Sequence, residues 1–190
     1  MGDVVVSEFV TLDGVFEDPG GSESSQWGGW AFRFDRGPEG DKFKVDETMN
    51  ASAMLLGRKT YEGFAEAWPG RTDEIGFADR MNSMSKYVVS TTLEQADWTN
   101  STVIGGDVPG AVRRLRSEVD GGLLVAGSAT LVQTLLEHDL VDELRLMVFP
   151  AVLGGGRRLF AEGDGTAAFE LVDCRPAAQC AILVYRRPQA

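Results

Sequence analysis

Short runs of β-branched and apolar residues alternate with longer segments of helical periodicity along most of the chain, and this order restricts the fold more than any other feature. A strand is predicted over Val4–Val10, a helix over Gly37–Asn50 with Phe43, Val45 and Met49 as its apolar contacts, and a buried strand over Ala53–Leu56. Helix Arg58–Trp68, stopped by Pro69-Gly70, helix Asp73–Met81, strand Lys86–Ser90 and a short strand near Val103 continue the pattern. Helix Val108–Val119 follows, with Asp107 as N-cap and Pro109 in its first turn. Strand Gly122–Ala126, helix Leu131–Glu137 and strand Glu143–Phe149 complete the alternation. The last stretch is all β: Phe169–Cys174 and Gln179–Arg186 read as an antiparallel hairpin turning at Pro176. This order predicts an α/β three-layer sandwich, with a mixed, mostly parallel sheet, helices on both faces and an antiparallel C-terminal hairpin at the edge. With 190 residues and no internal repeat or low-complexity linker, one domain over residues 1–190 is expected.

Composition removes several function classes. The formal net charge of −11 opposes broad attraction to nucleic acid or anionic membrane, so any phosphate site must be built locally. No apolar stretch approaches the roughly 20 residues of a membrane span, and the start MGDVVVSEFV lacks a secretory pattern; the expectation is a soluble, cytoplasmic protein. Two cysteines, Cys174 and Cys180, fall on apolar runs of the final hairpin and are expected in the core. With His138 as the single histidine, at a helix end, no Cys/His metal set is expected. GxGxxG, P-loop and GxSxG patterns do not occur, which argues against standard nucleotide-binding motifs and hydrolase triads.

Three junctions remain, each read as strand to helix, with small hydroxyl or glycine residues: Gly57-Arg58-Lys59-Thr60, Ser90-Thr91-Thr92 and Gly127-Ser128-Ala129-Thr130. Unsatisfied N–H groups and the macrodipole at a helix start favour an oxyanion, and an adjacent arginine supplies a donor fork. Any one of them alone is equally explained by ordinary capping. Arg157 and Arg158 are a second basic pair beside glycines. The loop Asp18–Trp30, DPGGSESSQWGGW, is too rich in Gly and Ser for regular structure yet carries Trp27 and Trp30. Those rings either cover a site or plug the core.

The strings LLGRKTYEGF, KYVVSTTL and GGLLVAGSATLVQTLLEHDLVDELRLMVFPAVLGGGRRLF span nearly the whole chain in this order. They resemble the dihydrofolate-reductase-like superfamily, and more closely its branch containing the reductase domain of the bifunctional riboflavin-pathway deaminase-reductase and stand-alone bacterial relatives. The resemblance implies NADPH as cofactor. On this chain it places the phosphates at Gly57, Arg58 and Thr60, with Arg58 and Lys59 toward the 2′-phosphate, the adenosine end at Ser90 and Thr91, and Leu93 against adenine. Gly127, Ser128, Ala129 and Thr130 then lie beneath the pyrophosphate and nicotinamide. Dihydrofolate reductases carry two glycines joined by a cis peptide at this turn, and Gly127-Ser128 departs from that pattern. The loop Thr11–Trp30 takes the position of a lid, with Asp13-Gly14 matching the Asp-Gly turn of the riboflavin branch and Trp27 and Trp30 stacking on cofactor or substrate. Asp41, with Asp46 and Glu47 one or two turns later, matches the helix carboxylate that fixes the heterocycle. Asp41 and Asp13 are the candidate catalytic carboxylates.

The expected function is NADPH-dependent hydride transfer to a small pyrimidine- or pterin-like heterocycle. The alternative is a dinucleotide- or small-molecule-binding protein that keeps the scaffold without turnover. A homodimer is expected from the apolar run MVFPAV and the terminal hairpin.

Overall fold

The computed structural model describes residues 2–160 and 166–188. Its centre is an eight-stranded sheet of order β4-β3-β2-β5-β1-β6-β8-β7. The strands are β1 (Val4–Thr11), β2 (Ala53–Gly57), β3 (Ser85–Val89), β4 (Ser101–Ile104), β5 (Leu123–Val125), β6 (Glu143–Phe149), β7 (Glu170–Ala177) and β8 (Cys180–Arg186). Pairing from β4 through β6 is parallel, whereas β8 runs antiparallel to β6 and β7. The helices are α1 (Gly37–Asn50), α2 (Arg58–Ala67), α3 (Phe77–Ser83), α4 (Val108–Glu118) and α5 (Ala129–Glu137). The expected α/β sandwich with its antiparallel hairpin is therefore the observed fold. Among the described residues no helix is long and apolar enough to cross a membrane.

The central strands read as near-continuous apolar runs because both of their faces are covered. One core, on the side of α4 and α5, gathers Val4, Val6, Leu55, Val125, Val132 and Leu135; a second, on the side of α2 and α3, gathers Met54, Leu56, Tyr61, Met81, Val88 and Trp98. Chain order then fixes where a ligand fits. From β1 the chain passes outward through β2, β3 and β4, returns to insert β5 between β2 and β1, and sends β6 to the other side of β1. Such a reversal leaves a crevice at the carboxyl ends of the strands.

Several local expectations change. Helix α3 begins at Phe77, not Asp73, because Gly76 adopts a left-handed φ of 75° and Asp73 acts as an acceptor ahead of it, for the amides of Ile75, Phe77 and Ala78. Ser90 closes β3 but no helix follows; its hydroxyl instead accepts from the Thr92 and Leu93 amides at 3.1 and 2.9 Å, turning the chain. The hairpin turns at Ala178-Gln179, with Pro176 inside β7 opposite Ala181. Cys174 is exposed on this edge strand, while Cys180 is buried; both are free thiols. Met147 and Phe149 of the MVFPAV run are buried, so the apolar surface of this region is Leu171 and Val172 on β7 and Val152 beyond β6. In α1 the buried positions are Gly40, Glu47 and Thr48, with Met49 exposed.

Candidate active site

The crevice is a cleft of about 820 Å³ that wraps over the carboxyl ends of β1, β2, β3 and β5. Two glycine junctions form its rim by interlocking. A Cβ on Gly57 would stand 2.3 Å from the Ser128 side chain, and a Cβ on Gly127, which has a left-handed φ of 71°, would stand 2.2 Å from Thr60 Oγ1. Each glycine leaves room for the hydroxyl residue of the opposite junction, which brings the starts of α2 and α5 together. Neither helix has a side-chain cap, whereas Asp107 caps α4 by accepting from the Gly110 amide at 2.9 Å. The N-terminal donors of α2 and α5 are thus not occupied by a cap in a molecule that caps another helix in the ordinary way.

Of the residues expected at a cofactor, Arg58, Lys59, Thr60, Ser90, Thr91 and the stretch Gly127 to Thr130 line the cleft. Gly57 lies directly behind Ser128. Leu93 does not line it; the turn made by Ser90 points this side chain into the core cluster around Trp98. Arg58 Nη1 lies 2.9 Å from both carboxylate oxygens of Glu62, and Lys59 Nζ lies 3.4 Å from Glu23, so both cations are held at the rim by exposed acids. No cis peptide bond occurs among the described residues, and the Gly127-Ser128 step is made by two successive positive φ values, 71° and 68°.

The loop after β1 does border the cleft, but through Phe16 to Gly20 and Ser22-Glu23 rather than its tryptophans. Trp30 is 1% exposed in a third core cluster, edge-on to Phe149 with ring centroids 5.3 Å apart, and its Nε1 donates to the Glu17 carbonyl. Trp27 packs on the Gly155-Gly156 turn, where a Cβ on Gly155 would collide with its ring and one on Gly156 would stand 3.3 Å from it. Both rings are structural here. The loop is organised by buried Asp18, which accepts from the Glu23 and Ser25 amides, at 3.0 and 3.1 Å. The aromatic side chains that do line the cleft are Phe9, Phe16, Phe32, Phe64, Trp68 and Phe77, none of which the sequence had marked as a site residue.

Both candidate carboxylates lie elsewhere. Asp41 sits on the solvent face of α1, its side chain 61% exposed and ion-paired with Arg36 at 2.6 Å. Asp13 accepts from Thr11 Oγ1 and from the Leu153 and Gly154 amides, tying the turn after β1 to the loop after β6. The hydroxyl bond of Thr11, with those amides, holds its carboxyl below the usual range. In their place the cleft contains Glu47, also on α1, and Glu8 on β1. Glu47 is buried, its oxygens 2.8 and 2.7 Å from Ser7 Oγ, ion-paired with Lys44 and 3.8 Å from Arg145. Lys44 also donates to Ser7 Oγ at 2.8 Å and lies 5.0 Å from the Phe9 ring centroid. Glu8 is 6% exposed, and its Oε1 accepts from the Gly127 amide at 2.8 Å. Burial pushes its carboxyl up to about 8, against the lowering field of Lys44 and the Gly127 bond. The signal for this pair was the polar Ser7-Glu8 step inside an otherwise apolar central strand, VVVSEFVT.

With this geometry in hand, comparison with known proteins gives a consistent assignment. Residues 3–183 match the family described as the RibD C-terminal domain. The chain belongs to that family. Among its relatives is YwjB of Bacillus subtilis strain 168, described as uncharacterized, which is 28% identical over 178 residues, or 94% of each chain. A putative riboflavin biosynthesis protein from Shewanella sp. PV-4 superposes over the full length of both chains with a TM-score of 0.75 at 20% identity. Dihydrofolate reductase from Enterococcus faecalis, solved as a complex with NADP(H), superposes with a TM-score of 0.61 at 17% identity, over 99% of this chain and 98% of that one. The last two likenesses establish the dihydrofolate-reductase-like fold. In this RibD-type domain the interlocked glycine junctions and the Glu47 network occupy the two walls of one cleft.

Proposed function

We propose that the protein is an NADPH-dependent reductase of a small pyrimidine- or pterin-like heterocycle. The observation that carries this reading is the pair of uncapped helix starts, α2 and α5, brought together over the cleft by Gly57 and Gly127 and flanked by Arg58 and Lys59. Free amides at two helix ends suit a pyrophosphate, and a guanidinium with an ammonium suits a phosphate monoester. The relation to the RibD family and to a fold-mate that binds NADP(H) supports the choice of ligand.

NADPH bound there supplies the hydride. The chain's own residues do the rest. Arg58 and Lys59 exchange Glu62 and Glu23 for the 2′-phosphate, while the amides of Thr60 and of Ser128 to Thr130 hold the diphosphate. Glu47, fixed by Ser7, Lys44 and Arg145, presents an acceptor for the N–H groups of an aminopyrimidine or pterin. Phe32, Phe64 and Trp68 supply apolar walls that exclude water from the transfer. A C=N or C=O bond of the heterocycle is the acceptor of the hydride.

The reading places the enzyme in the cytoplasm, where Cys174 and Cys180 stay reduced. It also includes a homodimer formed along β7, whose Leu171 and Val172 are each 55% exposed at the sheet edge. A light-scattering mass of 20.6 kDa at micromolar concentration would dismiss the dimer. Turnover is tested by following loss of reduced nicotinamide absorbance with aminopyrimidines and pterins. Oxidation by at least one of them is expected, and Glu47→Gln is expected to suppress it. Tight NADPH binding with no oxidation across the panel would favour the rival reading, a binding protein on the same scaffold.

A further inference from the structure

Like Glu47 and Asp18, Glu8 is buried and yet lines the cleft, but it is carried by the central strand β1 and accepts from a single amide where they accept from several donors. Its Oε1 is held by the Gly127 amide, and no donor among the described residues reaches Oε2. The charged groups acting on it are Lys44 and Glu47 of α1, with opposing signs. Lys44 is already committed to Ser7 and Glu47. From the other packed elements Glu8 meets Leu146 of β6, Gly127 after β5, and the uncharged start of α5. The remaining cations of the cleft also have acidic neighbours: Glu62 for Arg58, Glu23 for Lys59, and Glu17 for Arg157. Among the described residues Lys44 is the cation whose field reaches Glu8; it is shared with Ser7 and Glu47, and burial outweighs it and favours the acid form of Glu8.

An acid so placed ionises when a positive charge arrives beside it. The nicotinamide ring is neutral when reduced and cationic when oxidised. We propose, on the basis of the dinucleotide reading above, that Glu8 is the proton donor of this site and the counter-charge to the oxidised cofactor. As the reduced dinucleotide gives a hydride to the carbon of a substrate C=N or C=O bond, Glu8 gives its proton to the nitrogen or oxygen of that bond. The substrate gains two hydrogens, the ring gains a positive charge, and the Glu8 carboxylate carries the balancing negative charge. The site stays electrically neutral through the transfer. Glu8 regains a proton from solvent once the oxidised cofactor leaves. Its bond to Gly127 ties this exchange to the junction assigned to the cofactor.

The test counts protons, not turnovers. Titration calorimetry of the full chain with NADP⁺ and with NADPH, in two buffers of unequal ionisation enthalpy, gives the protons released by each. Both forms carry the 2′-phosphate, so the difference between them isolates the ring charge. At about pH 7 the oxidised form should release close to one proton more than the reduced form, and Glu8→Gln should abolish the difference while still binding NADPH. In wild type labelled with ¹³C-glutamate, one carboxyl resonance should move to the carboxylate position on adding NADP⁺ and not on adding NADPH, a readout that needs no variant. Equal proton release by both forms in wild type, with binding measurable, overturns the role of Glu8 and leaves the reductase reading standing. Binding of neither form overturns the dinucleotide reading, and the proposal with it.

Discussion

Replacing Glu8 by Gln keeps an acceptor for the Gly127 amide and removes the ionisable group, so it isolates the energetic consequence of a buried acid. In the folded chain this carboxyl is raised from its ordinary 4.5 to about 8, chiefly by burial. At about 1.4 kcal/mol per decade that difference amounts to about 5 kcal/mol when Glu8 is fully ionised, an upper bound because the cleft admits water. Below about pH 4.5 folded and unfolded chains both hold the proton and the group contributes nothing. As pH rises the unfolded chain releases it first, the native state binds more protons, and stability falls until the native carboxyl ionises as well near pH 8. Urea unfolding of wild type and Glu8→Gln at a series of pH values separates this effect from all other titrating groups, which cancel in the difference. Wild type should lose ground to the variant steadily across that window. With a urea slope of about 1–3 kcal/mol per molar, that upper bound corresponds to a midpoint gap opening by at most about 2–5 M. Since such a domain has about 5–15 kcal/mol in total, the change is large enough to measure. A midpoint gap that stays constant with pH would show that Glu8 ionises like an exposed carboxylate, and the argument from its burial would be refuted.

Two further predictions follow from the walls of the cleft. Gly127→Ala should destabilise the protein by about 1–3 kcal/mol and weaken dinucleotide binding, because the new Cβ meets Thr60 Oγ1 at a left-handed φ; thermal unfolding with unchanged midpoint would show that the two junctions do not interlock. Trp68, set edge-on to Phe77 with ring centroids 5.3 Å apart at the cleft wall, should carry the fluorescence change on ligand binding, so that Trp68→Phe removes most of it and Trp30→Phe leaves it; the opposite pattern would restore the loop tryptophans as site residues.

The contrast between Asp41 and Glu47 shows how much of this site a sequence displays. Six residues apart at 3.6 per turn, they point about 120° apart around α1, so one is in solvent when the other faces the cleft. The family resemblance placed a carboxylate on this helix without giving its rotation about its axis. The glycine junctions were legible as strand-to-helix turns, and the left-handed φ of Gly127 is a local demand for glycine, whereas the close approach of Ser128 to Gly57 arises only when the two junctions pack. The same locality explains why the strands and most helices fell where the apolar runs put them. Trp27 and Trp30 were not legible in this way. A tryptophan in a glycine-rich loop serves a cleft or a core equally well, and only Phe149 and the Gly155-Gly156 turn, over a hundred positions away in the chain, decide that Trp30 serves the core and Trp27 a contact between loops. Glu8 was hidden for a related reason, since the property that matters, its lack of a cation of its own, arises from Lys44 being engaged by Ser7 and Glu47.

The central claim is that the paired starts of α2 and α5, with Arg58 and Lys59, form a phosphate site selective for the phosphorylated dinucleotide. Calorimetric titration of wild type and Arg58→Ala with NADPH and NADH tests it most directly. A charged hydrogen bond contributes about 1.5–3 kcal/mol, part of which Arg58 already has from Glu62. Wild type should therefore prefer NADPH, and Arg58→Ala should lose about tenfold in NADPH affinity with little change for NADH. Equal affinity of the wild type for NADPH and NADH would contradict the account.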